Sequence, residues 1–221
     1  MKKKVNLGVL VSGSGSNLQS IIDSIARGFL DADINVVISN NPDAYALVRA
    51  KKHNITSVII KHTDFETREN CDQKIIDVLK AYSVELVVMA GFMRILSPLF
   101  LNAFPMKILN IHPAILPAFP GINAQKRAAE YGVKFSGCSV HFADEGIDSG
   151  PVIIQAVVPA YDDDTEDTLA ARILKEEHRI YPQAIQFYAE GRIEIIGRKV
   201  RIKGSKRIPE TPLYNPPLTV F

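Results

Sequence analysis

The chain has 221 residues, 47% of them apolar, which suffices to bury one full core and is too short for several. The net charge is +2, and its basic clusters, Lys2-Lys3-Lys4 and Arg198 to Lys203, are not interleaved with aromatics, so nucleic-acid binding has no support. Cys71 and Cys138 stand outside any C-x-x-C pair, which argues against a zinc finger or a disulfide framework and fits a reduced, cytoplasmic protein; Leu86 to Leu96 is apolar but carries Arg94 and is too short to cross a bilayer, so no membrane segment is expected.

In chain order, Val5 to Val11 predicts a buried first strand. The lysines ahead of it imitate a signal peptide, but Asn6 interrupts the apolar run and Ser12-Gly13-Ser14-Gly15 ends it early. Asn17 to Arg27 predicts a helix with Leu18, Ile21, Ile22 and Ile25 on one face, Ile34 to Ile38 a second strand, and Asn40-Asn41-Pro42 a turn. Ala44 to His53 follows as helix, Thr56 to Ile60 as strand, Thr67 to Tyr82 as helix, and Leu86 to Ala90 as a central strand. Lys107 to Ile111 predicts a strand whose carboxyl end delivers His112, then a Pro-rich loop over Pro113 to Gly121 and a helix over Ala124 to Tyr131. Strands over Cys138 to Ala143 and Val152 to Pro159 flank an acidic loop. Asp167 to Ala189 is a long helix with a kink expected at Tyr181-Pro182, and Arg192 to Lys203 reads as an edge hairpin before a Pro-rich tail.

Strands alternating with helices form the βαβ pattern, so the expected fold class is α/β: a single open, mostly parallel twisted sheet with helices on both faces, Rossmann-like. Ligands of such sheets sit beyond the carboxyl ends of the strands, so the Gly-Ser loop, Met93-Arg94 and His112 are expected to open on one cleft.

The segment Asn110-Ile111-His112-Pro113 and, 36 residues past the histidine, Asp148 supply an amide, an imidazole and a carboxylate. An amide holds a carbonyl oxygen, an imidazole moves a proton near neutral pH, and a carboxylate orients that imidazole and raises its pKa. The set suits acyl transfer without a metal or a covalent nucleophile, although taken alone the segment reads sooner as a polar turn beside an acidic loop. Ser12 to Asn17 opens into a helix, as a phosphate-binding loop does, and also as a tight turn with a cap does. Leu18 stands where a dinucleotide motif wants glycine, and Ser39-Asn40-Asn41 where it wants an acid, so a monophosphate fits better than a nicotinamide cofactor. His141 lies in an alternating strand and reads as structural, while Glu177 and His178 offer one wall of a polar cleft. No H-x-x-x-H or H-E-x-x-H spacing exists; a metal site assembled at long range from His112, His141 and Asp148 stays open. Asp162-Asp163-Asp164 lacks the glycine of a calcium loop and reads as a helix start, with Asp164 or Thr165 as cap and Asp167 completing it. No serine sits in a G-x-S-x-G elbow.

Four motifs spread in order over about residues 5 to 191, namely Ser12 to Leu18, Ala90 to Ser97, Asn110 to Pro117 and Asp148 to Pro151, resemble the folate-dependent phosphoribosylglycinamide formyltransferases of purine synthesis. That resemblance implies a catalytic domain over 1–191, with edge strands and a Pro-rich tail over 192–221. It implies glycinamide ribonucleotide as substrate, held by Gly15, Ser16, Asn17 and Glu177, and 10-formyltetrahydrofolate as co-substrate, held by Arg68, Met93, Arg94, Ile95, Leu96, Asn110, Asp144, Glu145, Gly146, Ile147 and Asp148. Asn110, His112 and Asp148 would be catalytic, no metal would be needed, and the protein would be a monomer or homodimer. The chain departs from many relatives at Ala114, Asn123 and Gln125, which bears on substrate affinity. Related formyltetrahydrofolate deformylases use water as acceptor and carry an N-terminal regulatory domain, and methionyl-tRNA formyltransferases carry an added tRNA-binding domain; neither addition is expected here. From other classes, a metal-dependent hydrolase and a non-catalytic nucleotide-binding module remain as alternatives.

Overall fold

The computed structural model describes residues 4–218. Among the described residues nine strands form, β1 (Val5–Val11), β2 (Ala32–Ser39), β3 (Ser57–Ile59), β4 (Leu86–Met89), β5 (Ile108–His112), β6 (Phe135–Phe142), β7 (Val152–Pro159), β8 (Ile193–Ile196) and β9 (Lys199–Ile202). The helices are α1 (Ser16–Ala26), α2 (Tyr45–Lys52), α3 (Arg68–Ala81), α4 (Pro98–Ala103), α5 (Ala124–Tyr131) and α6 (Glu166–Ala189). A seven-stranded sheet runs in the order β3-β2-β1-β4-β5-β6-β7, parallel from β3 to β5 and antiparallel from β5 to β7.

Alternation along the strands feeds two cores. Leu7, Val9 and Val11 of β1 face α1, α2, α5 and α6, whereas Leu10, with Val87 and Met89 of β4, faces α3 and α4. Helices therefore cover both faces, as the apolar, nearly unbroken strands required. The chain moves outward from β1 to β3 and returns to place β4 on the other side of β1, so the loops after β1 and β4 diverge and open a crevice at their carboxyl ends.

Local chemistry fixes the helix starts. Thr67 accepts from the Asn70 N–H at 3.1 Å to start α3, and Ser97, followed by Pro98, caps α4. At α6 the cap is Thr165, and its partner is Thr168 rather than the expected Asp167. Asp164 instead forms a two-pronged pair with Arg172 at 2.7 and 2.9 Å. The helix continues through Pro182 to Ala189. Helix α4, six residues long, and a 3-10 turn at His62–Asp64 were not anticipated, because such short pieces show no helical period. The C-terminal hairpin pairs β8 only with β9, as a separate two-stranded sheet rather than an edge of the main one. Among the described residues no helix is long and apolar enough to cross a membrane.

Candidate active site

The loop after β1 turns into α1 through Gly15 at φ 69°, where a Cβ would also lie 2.6 Å from that of Ala46. Two residues on, buried Asn17 donates through Nδ2 to Glu177 Oε2 at 2.7 Å, and its Oδ1 is buried with no partner among the described residues. Burial pushes the Glu177 carboxyl above its ordinary value, against the Asn17 hydrogen bond. Arg49 of α2 grips this loop by donating to the Ser14 carbonyl at 2.9 Å. A polar cavity of about 360 Å³ lies along the outer face of α1 from Ser16 to Arg27, closed by Arg49 and His178. His178 Nε2 is buried there with no partner among the described residues, and burial together with the Arg49 charge lowers its pKa.

A larger, mostly apolar cleft of about 560 Å³ opens beyond β4 and β5. Its walls are the 91–96 loop, Asn110 to Pro113, the 121–125 segment and the loop before Asp148. Met93 and Ile95 stand 72% and 56% exposed on one lip and Ile147 stands 57% exposed on the other, apolar surface left uncovered by the protein itself.

Asp148 is the hub at the end of this cleft. Its Oδ2 accepts from the Gly121 N–H at 2.7 Å and lies 3.2 Å from His112 Nδ1; its Oδ1 accepts from Asn110 Nδ2 at 3.2 Å and lies 3.5 Å from His141 Nε2. Burial works to raise the Asp148 pKa, but the contacts with His141, Gly121 and His112 outweigh it and hold the carboxyl below its ordinary value. His112 Nε2 lies 2.8 Å from the Phe119 carbonyl, which can only accept, so Nε2 carries a hydrogen and Nδ1 is left facing the carboxylate. Burial lowers the His112 pKa, with Asp148 and the Phe119 carbonyl opposing. The expected net rise is therefore not found: Asp148 pulls upward, but on a ring only 4% exposed the desolvation is larger.

His141, expected to be structural, belongs to this cluster. Its Nδ1 lies 2.8 Å from the Phe142 carbonyl and so carries the hydrogen, which leaves Nε2 to accept from Asn110 Nδ2 at 3.2 Å. Both hydrogens of the Asn110 amide are thereby committed, one to His141 and one to Asp148. The strand alternation hid this, because a histidine facing a site and one facing a core share the same spacing.

Of the other expected residues, Met93, Arg94, Ile95, Leu96, Asp144, Gly146 and Ile147 line the cleft, and Arg68 and Glu145 are not among its lining residues. Arg68 stands at the exposed start of α3, 3.6 Å from Glu69. Arg94 turns its guanidinium inward, 3.5 Å from Asp72 Oδ1 and 2.8 Å from Cys71 Sγ. Asp72 is fully buried, and its Oδ2 accepts from the Ser97 N–H at 2.7 Å, so this carboxylate anchors the 91–97 loop from below. Asp144 accepts from Ser149 Oγ at 2.6 Å and from the Gly146 N–H at 3.2 Å, shaping its own loop. Asn123 and Gln125 line the cleft, while Ala114 is buried and its carbonyl accepts from Ser139 Oγ at 2.7 Å. No group of three or more His, Cys, Asp or Glu side chains able to hold a metal ion occurs among the described residues.

The formyl transferase family profile matches residues 5–185. Phosphoribosylglycinamide formyltransferase of Escherichia coli is 40% identical over 206 residues, covering 93% of this chain and 97% of that protein. The trifunctional purine biosynthetic protein adenosine-3 of Drosophila melanogaster is 46% identical over 193 residues, of which this chain spans only 14% of the length. Among solved structures, glycinamide ribonucleotide transformylase 1 from Symbiobacterium toebii superposes with a TM-score of 0.90 at 48% identity, covering 91% of this chain and 95% of that one. A formyltetrahydrofolate deformylase from Pseudomonas syringae, at 24% identity and a TM-score of 0.84, shares the fold.

Proposed function

Because the chain belongs to the formyl transferase family, we infer that it transfers a formyl group from 10-formyltetrahydrofolate to the amine of glycinamide ribonucleotide, a step of purine synthesis. The observation that carries the reading is the convergence of Asn110, His112 and Asp148 at one end of an apolar cleft, with a glycine-bearing helix start for a phosphate at the end of the strand beside β4.

In this reading the nucleotide phosphate meets the N-terminus of α1 at Gly15, Ser16 and Asn17, and Glu177 holds the sugar or glycinamide. The folate lies against the 91–96 loop and Ile147, with its formyl group at the hub. The substrate amine attacks the formyl carbon, a carbon–nitrogen bond forms, and the oxygen takes on negative charge. The hydrogen on His112 Nε2, directed at the Phe119 carbonyl, is the ring hydrogen available to that oxygen. Asp148, 3.2 Å from Nδ1, stabilises the positive charge the ring carries when Nδ1 also takes up a proton, and that imidazolium charge faces the developing oxyanion. Asn110 has both amide hydrogens committed, so its Oδ1 is the atom presented to the substrate amine, and holding that amine in line is its main contribution. Collapse breaks the bond from the formyl carbon to the folate nitrogen; the attacking amine loses one proton and the folate nitrogen gains one. No step calls for a metal. Mixing the protein with both substrates and following tetrahydrofolate release tests the assignment: turnover that depends on the nucleotide is expected, release without it would indicate a hydrolase, and no release would refute it.

A further inference from the structure

The loops assigned to the two ligands are joined by one side chain. Strands β1 and β4 are paired neighbours, and the Ser12 N–H carries their ladder one step further by donating to the Gly91 carbonyl at 3.1 Å. The Ser12 hydroxyl then does two things at once. It accepts from the Met93 N–H at 2.9 Å, in the loop that lines the cleft, and donates its own hydrogen to Asn40 Oδ1 at 2.6 Å, in the turn after β2. Asn41 Nδ2 reaches back to the Ser12 carbonyl at 3.3 Å, and the next residue, Gly13, accepts from the Ala46 N–H of α2 at 3.1 Å. Ser12 thus ties the start of the Ser12–Gly15 turn to the 91–96 wall, with its hydroxyl used as donor and acceptor together.

We propose that Ser12 is a positioning residue that couples the two ligand sites, so that filling the nucleotide side strengthens folate binding and the reverse. The proposal rests on the two-substrate reading above. The 91–97 segment is fastened to Ser12 at Gly91 and Met93, and to α3 through Arg94 and Ser97. Only the fastenings to Ser12 lead to the loop that is expected to close on a phosphate, and of these the one at Met93 is made by the side chain. Ordering that loop holds the Ser12 hydroxyl in place and so holds the Met93 backbone, which lowers the ordering that folate must still impose. Linkage makes the effect reciprocal, and one hydrogen bond sets its size at about 3-fold to 10-fold in affinity.

The test is a set of calorimetric titrations with glycinamide ribonucleotide and tetrahydrofolate, which lacks the formyl group and so gives no turnover. In the wild type, saturation with the nucleotide is expected to tighten tetrahydrofolate binding about 3-fold to 10-fold. Ser12→Ala is expected to bind each ligand alone within about 2-fold of wild type while the coupling falls to near one, because water replaces the exposed partner of the Met93 N–H. Ser12→Thr keeps a hydroxyl and is expected to restore the coupling. Unchanged coupling in Ser12→Ala, no coupling in the wild type, or equal loss of both single affinities would each overturn the proposal. If neither ligand binds the wild type, the two-substrate reading fails first and the coupling with it.

Discussion

Replacing Asp148 by Asn separates the role of its charge from that of its shape. The residue sits at φ 50°, a left-handed conformation that Asn tolerates as well as Asp, so the backbone is not strained by the change. The amide oxygen must take the position facing the Gly121 N–H, because an NH2 there would meet another donor at 2.7 Å. That choice points the new NH2 at Asn110 Nδ2, 3.2 Å away and also a donor, so Asn110 has to turn. The His112 ring loses the carboxylate 3.2 Å from Nδ1 and can no longer hold a developing positive charge. Two charge-assisted contacts are lost, each about 1.5–3 kcal/mol, and both act on the reacting state. Together they amount to about 3–6 kcal/mol, or a fall in kcat of about 150-fold to 25,000-fold. Nucleotide affinity should hold within about 3-fold, since Gly15, Asn17 and Glu177 are untouched. Steady-state kinetics with tetrahydrofolate release, alongside calorimetry for the nucleotide, measures both. A fall in kcat below about 10-fold, or a loss carried in KM, would refute the hub role of Asp148.

Three further substitutions probe its surroundings. His141→Phe leaves one Asn110 hydrogen without its acceptor, and kcat is expected to fall about 10-fold to 100-fold with both KM values little changed; wild-type turnover would return His141 to a purely structural role. Asp72→Asn removes the buried charge opposite Arg94, at a cost of about 3–5 kcal/mol, which for this size corresponds to a Tm lower by about 6–20 °C, together with a raised KM for the folate; an unchanged Tm would show that Asp72 does not anchor the loop. Glu177 has its pKa raised by burial above the ordinary 4.5, so the stability tied to its protonated form is full below that value and is lost as pH rises through the folded one. Glu177→Gln keeps the acceptor for Asn17, and its Tm advantage over wild type is expected to grow from pH 4.5 to pH 8; a constant difference across that range would show that Glu177 does not titrate high.

The sheet was legible because buried parallel strands leave nearly continuous apolar runs: Leu86 to Met89 is unbroken, and Val5 to Val11 is broken only at Asn6. Their carboxyl ends were legible as ligand-facing for the same reason, which is why the Gly-Ser loop and His112 stand beyond strand ends. Side-chain direction was not legible. Arg94 falls within the expected folate loop, yet its guanidinium turns inward to Asp72, a partner 22 positions away by number on a helix whose pattern gave no sign of a buried charge. Arg68, which only the resemblance implied, stands at the exposed start of α3, 3.6 Å from Glu69 and outside the cleft lining.

His141 shows why the site needs an antiparallel addition to a parallel sheet. Strand β6 runs back along β5 in a register that sets His141 directly across from Asn110 and Ser139 across from His112. A parallel β6 would run the other way past β5, so that residues after His141 rather than Ser139 before it would lie beside His112. Running antiparallel, β6 ends at Phe142 beside Leu109, and the 143–151 loop then doubles back over the carboxyl end of β5 before β7 begins. Asp148 lies in that loop, with the neighbouring Gly150 in contact with the Phe142 carbonyl so closely that a Cβ would sit 1.8 Å from it. The tight return is what lets one carboxylate reach Asn110, His112 and His141 together. A chain with the same residues in loops of other lengths would keep the composition of the site and lose its geometry, and so the spacing from His112 to Asp148 encodes a path through α5 and back along the single antiparallel strand β6.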